Sequence, residues 1–131
     1  MNLEASNIYT SYGLSQILFG VSLRVEEKEV VSLLGRNGVG KTTTLRSIMG
    51  LTPPRSGSIR WKGEELVGKS PFQIAKLGIG FVPEERRIFS DLTVWENLDV
   101  AVKPARDKKN LWTLDRVFNL FPALHPIQNR R

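Results

Sequence analysis

Residues 35–44 read Gly35-Arg36-Asn37-Gly38-Val39-Gly40-Lys41-Thr42-Thr43-Thr44. Gly35, Gly40, Lys41 and Thr42 fit the G-x-x-x-x-G-K-[ST] template of a phosphate-binding loop. Each residue type meets a physical demand. The glycines let the backbone curl so that successive N–H groups face one concavity and hold phosphate oxygens. Lys41 sets a compact cation against the outer phosphates, and the Thr42 hydroxyl is a hard oxygen ligand suited to Mg²⁺. A helix that starts here turns its positive dipole end toward the same anion.

The flanks match that reading. Val30-Val31-Ser32-Leu33-Leu34 is a short apolar run of the kind a buried strand needs, and Thr43 to Met49 reads as a helix ended by Gly50. By average residue usage the four fixed positions match by chance in roughly one chain in two hundred of this length. The bland alternative is a glycine turn that binds nothing, and the strand and helix around it argue against that.

Further out, residues 2–10 partly alternate in polarity and read as a strand, Ser11-Tyr12-Gly13 as a turn, and Ile17 to Glu27 as a second strand. After the first helix, residues 52–57 form a Pro/Gly loop, and Ser58 to Gly63 alternates as an exposed strand. Ser70-Pro71 opens a second helix that stops at Gly78. Ile79-Gly80-Phe81-Val82 reads as a buried strand closed by Pro83, and residues 84–92 as a charged loop. Thr93, with Glu96 three residues on, signals a capped helix to Val102, ended by Pro104. Residues 106–110 read as a polar linker and Leu111 to Phe121 as a last helix, with Pro122 and Pro126 closing the regular structure.

The chain has 131 residues, 40% of them hydrophobic and 24% charged, which suits an ordinary globular domain. It carries no apolar run near the ~20 residues that cross a bilayer and no charged-then-apolar leader. Cysteine is absent, which rules out disulfides and cysteine-ligated zinc. The net charge of +6 suits a solvated basic surface, nucleotide phosphates or a membrane face. Nucleic acid is not indicated, because there is no long basic run, zinc-finger spacing or RNA-binding aromatic motif.

Four stretches together resemble a known family. They are GRNGVGKTT around the loop, PPRSGSIRWKGEEL after the first helix, GIGFVPEERRIFSDLTVWENL, and FNLFPALH near the end. The chain resembles the N-terminal half of an ABC transporter ATPase subunit, and more closely the second ATPase subunit of the branched-chain amino-acid importers. The resemblance implies an α/β fold: a P-loop NTPase core of the ABC ATPase type, with an antiparallel β ribbon and the start of the helical subdomain. Residues 1–92 would form the ATP-binding core and residues 93–131 the beginning of the helical subdomain.

The resemblance also implies site residues. Tyr12 takes the place of the aromatic residue that the family sets against adenine, with a turn tyrosine packed on the core as the alternative. Asn37, Gly38 and Thr43 join Gly35, Gly40, Lys41 and Thr42 as nucleotide ligands. Glu84 stands at the family's Q-loop glutamine position, where this branch commonly has glutamate, so with Thr42 it is the expected Mg²⁺ contact, a surface loop acid being the alternative. The expected cofactors are ATP and Mg²⁺. The expected partners are transmembrane permease subunits, met through residues 84–92, and a second ATPase subunit, with self-association of this chain as a further expectation. The expected location is the cytoplasmic face of the inner membrane, held peripherally.

The family's LSGGQ signature, its Walker B aspartate and catalytic glutamate, and its switch histidine do not occur in these 131 residues. The sole histidine, His125, sits between prolines and reads as a loop residue. Binding without efficient hydrolysis is therefore expected, and no catalytic residue is assigned. Two other classes stay open at this level. A small P-loop kinase would need an arginine lid, for which Arg86 and Arg87 are the candidates. A non-catalytic interaction module would bind no nucleotide.

Overall fold

The computed structural model describes residues 2–85, 87–102 and 112–131. They form two compact units, Met1–Val82 and Pro83–Arg131. The linker 106–110, Pro104, Leu111 and Arg86 of the expected arginine pair lie outside the described residues.

The first unit is built on a hairpin. Strand β1 (Leu3–Tyr12) pairs antiparallel with β2 (Ser15–Val25), and Tyr12 faces Ser15 across a two-residue turn at Gly13 and Leu14. The turn is therefore shorter than expected, and Tyr12 is the last residue of a strand instead of part of the turn. Strand β3 (Ser56–Trp61) joins the other edge of β1, and β4 (Glu64–Glu65) pairs with Arg60 and Trp61, giving the order β2-β1-β3-β4. β3 is not the exposed strand its alternation suggested, because Ile59 is buried between the sheet and the helices. The register slips between Ser6 and Tyr9, and there Gly57 is indispensable. Its φ is +99°, and a Cβ would come within 2.4 Å of the Asn7 carbonyl oxygen.

Two helices cover this sheet. Helix α1 (Lys41–Ile48) buries Thr43, Thr44, Ser47 and Ile48. Helix α2 (Pro71–Lys76) starts at a full capping box: Ser70 accepts from the Gln73 amide, and Gln73 accepts from the Ser70 amide. The core is Ala5, Ile8, Leu18, Ile48, Met49, Ile59, Leu66 and Ile74. β1 supplies Ala5 and Ile8, which share a face across the register shift between them, and β2, β3 and the two helices supply Leu18, Ile59, Ile48 and Ile74.

Two expected strands are not formed. Val30–Leu34 and Ile79–Val82 carry no ladder, and Val30, Leu34 and Val82 are 92%, 91% and 93% exposed. A strand is held by the N–H and C=O groups of a neighbour, and none of the described strands lies alongside these runs. The sheet among the described residues is wholly antiparallel.

In the second unit, helix α3 (Val94–Asp99) has the expected Thr93–Glu96 capping box. It ends before Val102 in a tighter turn, where Ala101 and Val102 donate to Leu98 and Asp99. Its first amides, Val94 and Trp95, donate to the carbonyls of Arg130 and Gln128 at 2.9 Å each, which satisfies donors that every helix start leaves open. Helix α4 (Leu114–Leu120) is capped by Thr113 and is shorter than the expected helix. Pro122 does not end the regular structure. It starts a 3-10 helix, Pro122–Ile127, because proline's fixed φ and missing N–H suit a first helical position. His125 stacks on Phe118 there, with ring centroids 4.7 Å apart.

Candidate nucleotide site

Helix α1 begins two residues before the expected start, so Lys41 is its first residue. Gly40 precedes it at φ +96°, and a Cβ there would come within 2.7 Å of the Leu18 side chain. A left-handed backbone pressed against the core leaves room only for glycine. The loop before it stands out from the core: residues 34–39 are exposed, and Gly40 is buried.

The Lys41 ammonium folds back onto its own loop. Nζ donates to the carbonyls of Gly35 at 2.9 Å and Arg36 at 2.8 Å. An ammonium has three N–H donors, and two of them close the loop around this cation. Thr42 is exposed beside it, whereas Thr43 and Thr44 are buried. Thr44 Oγ1 donates to the Gly40 carbonyl at 3.0 Å and Ser47 Oγ to the Thr43 carbonyl at 2.9 Å. The first of these bonds ties α1 to the end of the loop, and the second lies within the helix.

Charge favours an anion here. The loop and α1, residues 35 to 48, hold Arg36, Lys41 and Arg46 and not one Asp or Glu. Amides at a helix start, a left-handed glycine and a lysine in an acid-free segment fit the phosphates of a nucleotide.

Tyr12 lies at the end of β1, 45% exposed. The Thr52 hydroxyl donates to its phenolic oxygen at 3.5 Å. That bond lowers the Tyr12 pKa from its usual value; partial burial opposes it, and Thr43 and Arg46 lower it further. The structure thus brings the Tyr12 hydroxyl to α1 and to the loop that follows it. Glu84, the other expected Mg²⁺ contact, belongs to the second unit and is exposed.

Sequence reasoning missed three residues, two in the first unit and one in the second. Thr52 and Arg46 hold Tyr12, and the only sequence signal is their place at and after the end of the helix. The third is Asn97, in the second unit. Its side chain donates to the carbonyls of Phe89, Leu92 and Thr93 at 3.0, 3.2 and 3.0 Å and accepts from the Phe89 amide at 2.9 Å. One residue of α3 therefore shapes the end of the 84–92 loop. Beside it is a groove of about 410 Å³ with the apolar side chains of Ile88, Phe89, Leu92, Val94, Leu98 and Leu124.

A glycine loop that leads into a helix whose first residue is Lys41, set against an antiparallel ribbon that ends in an aromatic residue, defines a P-loop nucleotide-binding fold. Residues 18–130 match the ABC transporter family model, and the chain belongs to that family. It is 43% identical over 122 residues to the high-affinity branched-chain amino acid transport ATP-binding protein BraG of Pseudomonas aeruginosa, covering 93% of this chain and 52% of BraG. It is 40% identical over 105 residues to the lipopolysaccharide export system ATP-binding protein LptB of Haemophilus influenzae, covering 80% of this chain and 44% of LptB. Among solved structures, an ATP binding subunit of an ABC transporter superposes with a TM-score of 0.68 at 33% identity, covering 77% of this chain and 41% of that one. The chain thus spans about half the length of the curated relatives it matches.

Proposed function

We propose that this chain is the nucleotide-binding portion of an ABC importer ATPase that powers uptake of branched-chain amino acids. The observation that carries the nucleotide reading is Lys41, at the first position of α1 and closed in by the loop carbonyls of Gly35 and Arg36. With ATP bound, the Lys41 ammonium would be the cation for the outer phosphate oxygens. The backbone of Gly35, Asn37, Gly38, Gly40 and Thr43 holds the phosphate chain. Within the first unit Thr42 would be the Mg²⁺ contact of this reading, and the ring of Tyr12 would stack on the base.

Residues 1–92 act as the ATP-binding core and 93–131 as the start of the helical subdomain. Identity to BraG supports the choice of cargo. The groove beside the 84–92 loop supports that segment as the contact with transmembrane permease subunits. The molecule works at the cytoplasmic face of the membrane, next to a second ATPase subunit. The cations and amides of the phosphate-binding loop support phosphate binding, and slow turnover of ATP by this chain alone is the further part of the proposal.

Calorimetry with ATP, with and without Mg²⁺, followed by a phosphate-release assay, tests the reading. Magnesium-enhanced binding with turnover well below ~1 s⁻¹, the low end for enzymes, supports it. Absence of ATP binding overturns it, and turnover at or above that rate, lost in Lys41→Ala, overturns the statement about catalysis.

A further inference from the structure

We infer that Thr52 and Arg46 are positioning residues that fasten the Tyr12 ring to the phosphate-binding helix, so that base and phosphates meet one rigid frame. The inference rests on the nucleotide reading above and adds a specificity device to it.

The geometry is a relay of three side chains. Arg46 Nε donates to Thr52 Oγ1 at 3.3 Å, and Thr52 Oγ1 donates to the Tyr12 phenolic oxygen at 3.5 Å. A hydroxyl has one proton and two lone pairs, so Thr52 accepts from one partner and donates to the other without conflict. Thr52 is itself held tightly. It is 8% exposed, and the amides of Leu51 and Thr52 both donate to the Arg46 carbonyl, at 3.0 and 3.3 Å. Arg46 therefore grips Thr52 by backbone and side chain together.

Arg46 stands five residues after Lys41 on the same helix, about 7.5 Å along the axis at 1.5 Å per residue. The relay thus runs from the helix that carries Lys41 to the ring at the end of β1. A strand-end tyrosine beside an exposed turn keeps several staggered side-chain positions open. Holding the hydroxyl edge selects one of them while the residue stays 45% exposed. The depressed phenol pKa agrees with a hydroxyl that faces Thr52, Thr43 and the Arg46 guanidinium.

This arrangement matters for ligands that have both a base and a phosphate chain. Inorganic tripolyphosphate engages only the loop. The test compares ATP with tripolyphosphate by calorimetry on the wild type, Thr52→Val, Thr52→Ser, Tyr12→Phe and the Thr52→Val/Tyr12→Phe double variant. Thr52→Val is expected to weaken ATP about fivefold and leave tripolyphosphate unchanged. Thr52→Ser is expected to restore ATP affinity, and Thr52→Val to have no further effect in the Tyr12→Phe background. An ultraviolet titration of the tyrosines should show the Tyr12 phenol rising in Thr52→Val. Equal losses for both ligands, unchanged ATP affinity in Thr52→Val, or additive effects in the double variant overturn the inference. A wild type that binds tripolyphosphate but gains nothing from the base overturns it while leaving the phosphate loop intact. A wild type that binds neither ligand overturns the nucleotide reading itself.

Discussion

The hydroxyls of Thr10 on β1 and Ser47 on α1 meet at 2.9 Å inside the first unit, with Thr10 0% and Ser47 2% exposed. Ser47 commits its proton to the Thr43 carbonyl, so Thr10 is the donor of the pair. A buried relay thus passes from the hairpin to the first turn of α1, beside Lys41 and Thr42. Ser47→Ala leaves the Thr10 hydroxyl buried without its acceptor, at a cost of about 1–3 kcal/mol. Urea unfolding of Ser47→Ala, Thr10→Val and the double variant checks this. The double variant should lose less than the sum of the single ones, and strict additivity would show that the pair is not coupled.

Glu65 gives a pH dependence with a definite sign. Burial raises its pKa, but hydrogen bonds from the Ser58 hydroxyl and the Ile59 and Val67 amides, with Arg60 beside it, outweigh that and hold it below the usual carboxylate value. A carboxyl whose folded pKa is depressed stabilises the fold above its unfolded pKa, and the contribution disappears as pH falls through the folded value. Stability of the first unit should therefore drop on acidification below the ordinary carboxylate range. Glu65→Gln should flatten that drop. An acid limb of the same steepness in Glu65→Gln would assign it to other groups.

Asn97 closes the loop before α3 with four hydrogen bonds. In Asn97→Ala, amide hydrogen exchange over residues 88–93 should accelerate by at least tenfold, an opening free energy lower by about 1.4 kcal/mol. Exchange in β1 and β3 should not change. Equal protection in the variant would mean that the loop is held by its apolar side chains instead.

Much of this arrangement was legible because its signals are local. The Thr93–Glu96 box, Ser70 with Pro71, and the glycine loop before Lys41 each place their physics within a few residues, and each appears where the pattern put it. The misses share a different cause. Val30–Leu34 has the composition of a buried parallel strand, yet composition cannot supply the neighbour that a ladder needs. Thr52 and Tyr12 are 40 residues apart in the chain, and nothing in the sequence of either marks the other. The same is true of Thr10 and Ser47. The 3-10 helix at Pro122 was hidden because proline signals both an end and a beginning.

The exposed runs carry a consequence for association. Val30, Leu34 and Val82 present branched apolar side chains to solvent on backbone that carries no ladder, a combination that invites edge pairing between molecules. Equilibrium sedimentation should show reversible self-association, and thermal unfolding should shift upward with concentration. A strictly monomeric chain with a concentration-independent transition would contradict this. Val31→Lys should weaken the association, because a charge on a strand edge opposes pairing.

In the proposed function, residues 35–43 bind the phosphates of ATP with Lys41 as their main cation. Isothermal calorimetry of Mg-ATP against the wild type and Lys41→Ala tests it most directly. Lys41→Ala is expected to bind at least tenfold more weakly, about 1.4 kcal/mol, with the fold intact by circular dichroism. Equal affinity in the two proteins would contradict it.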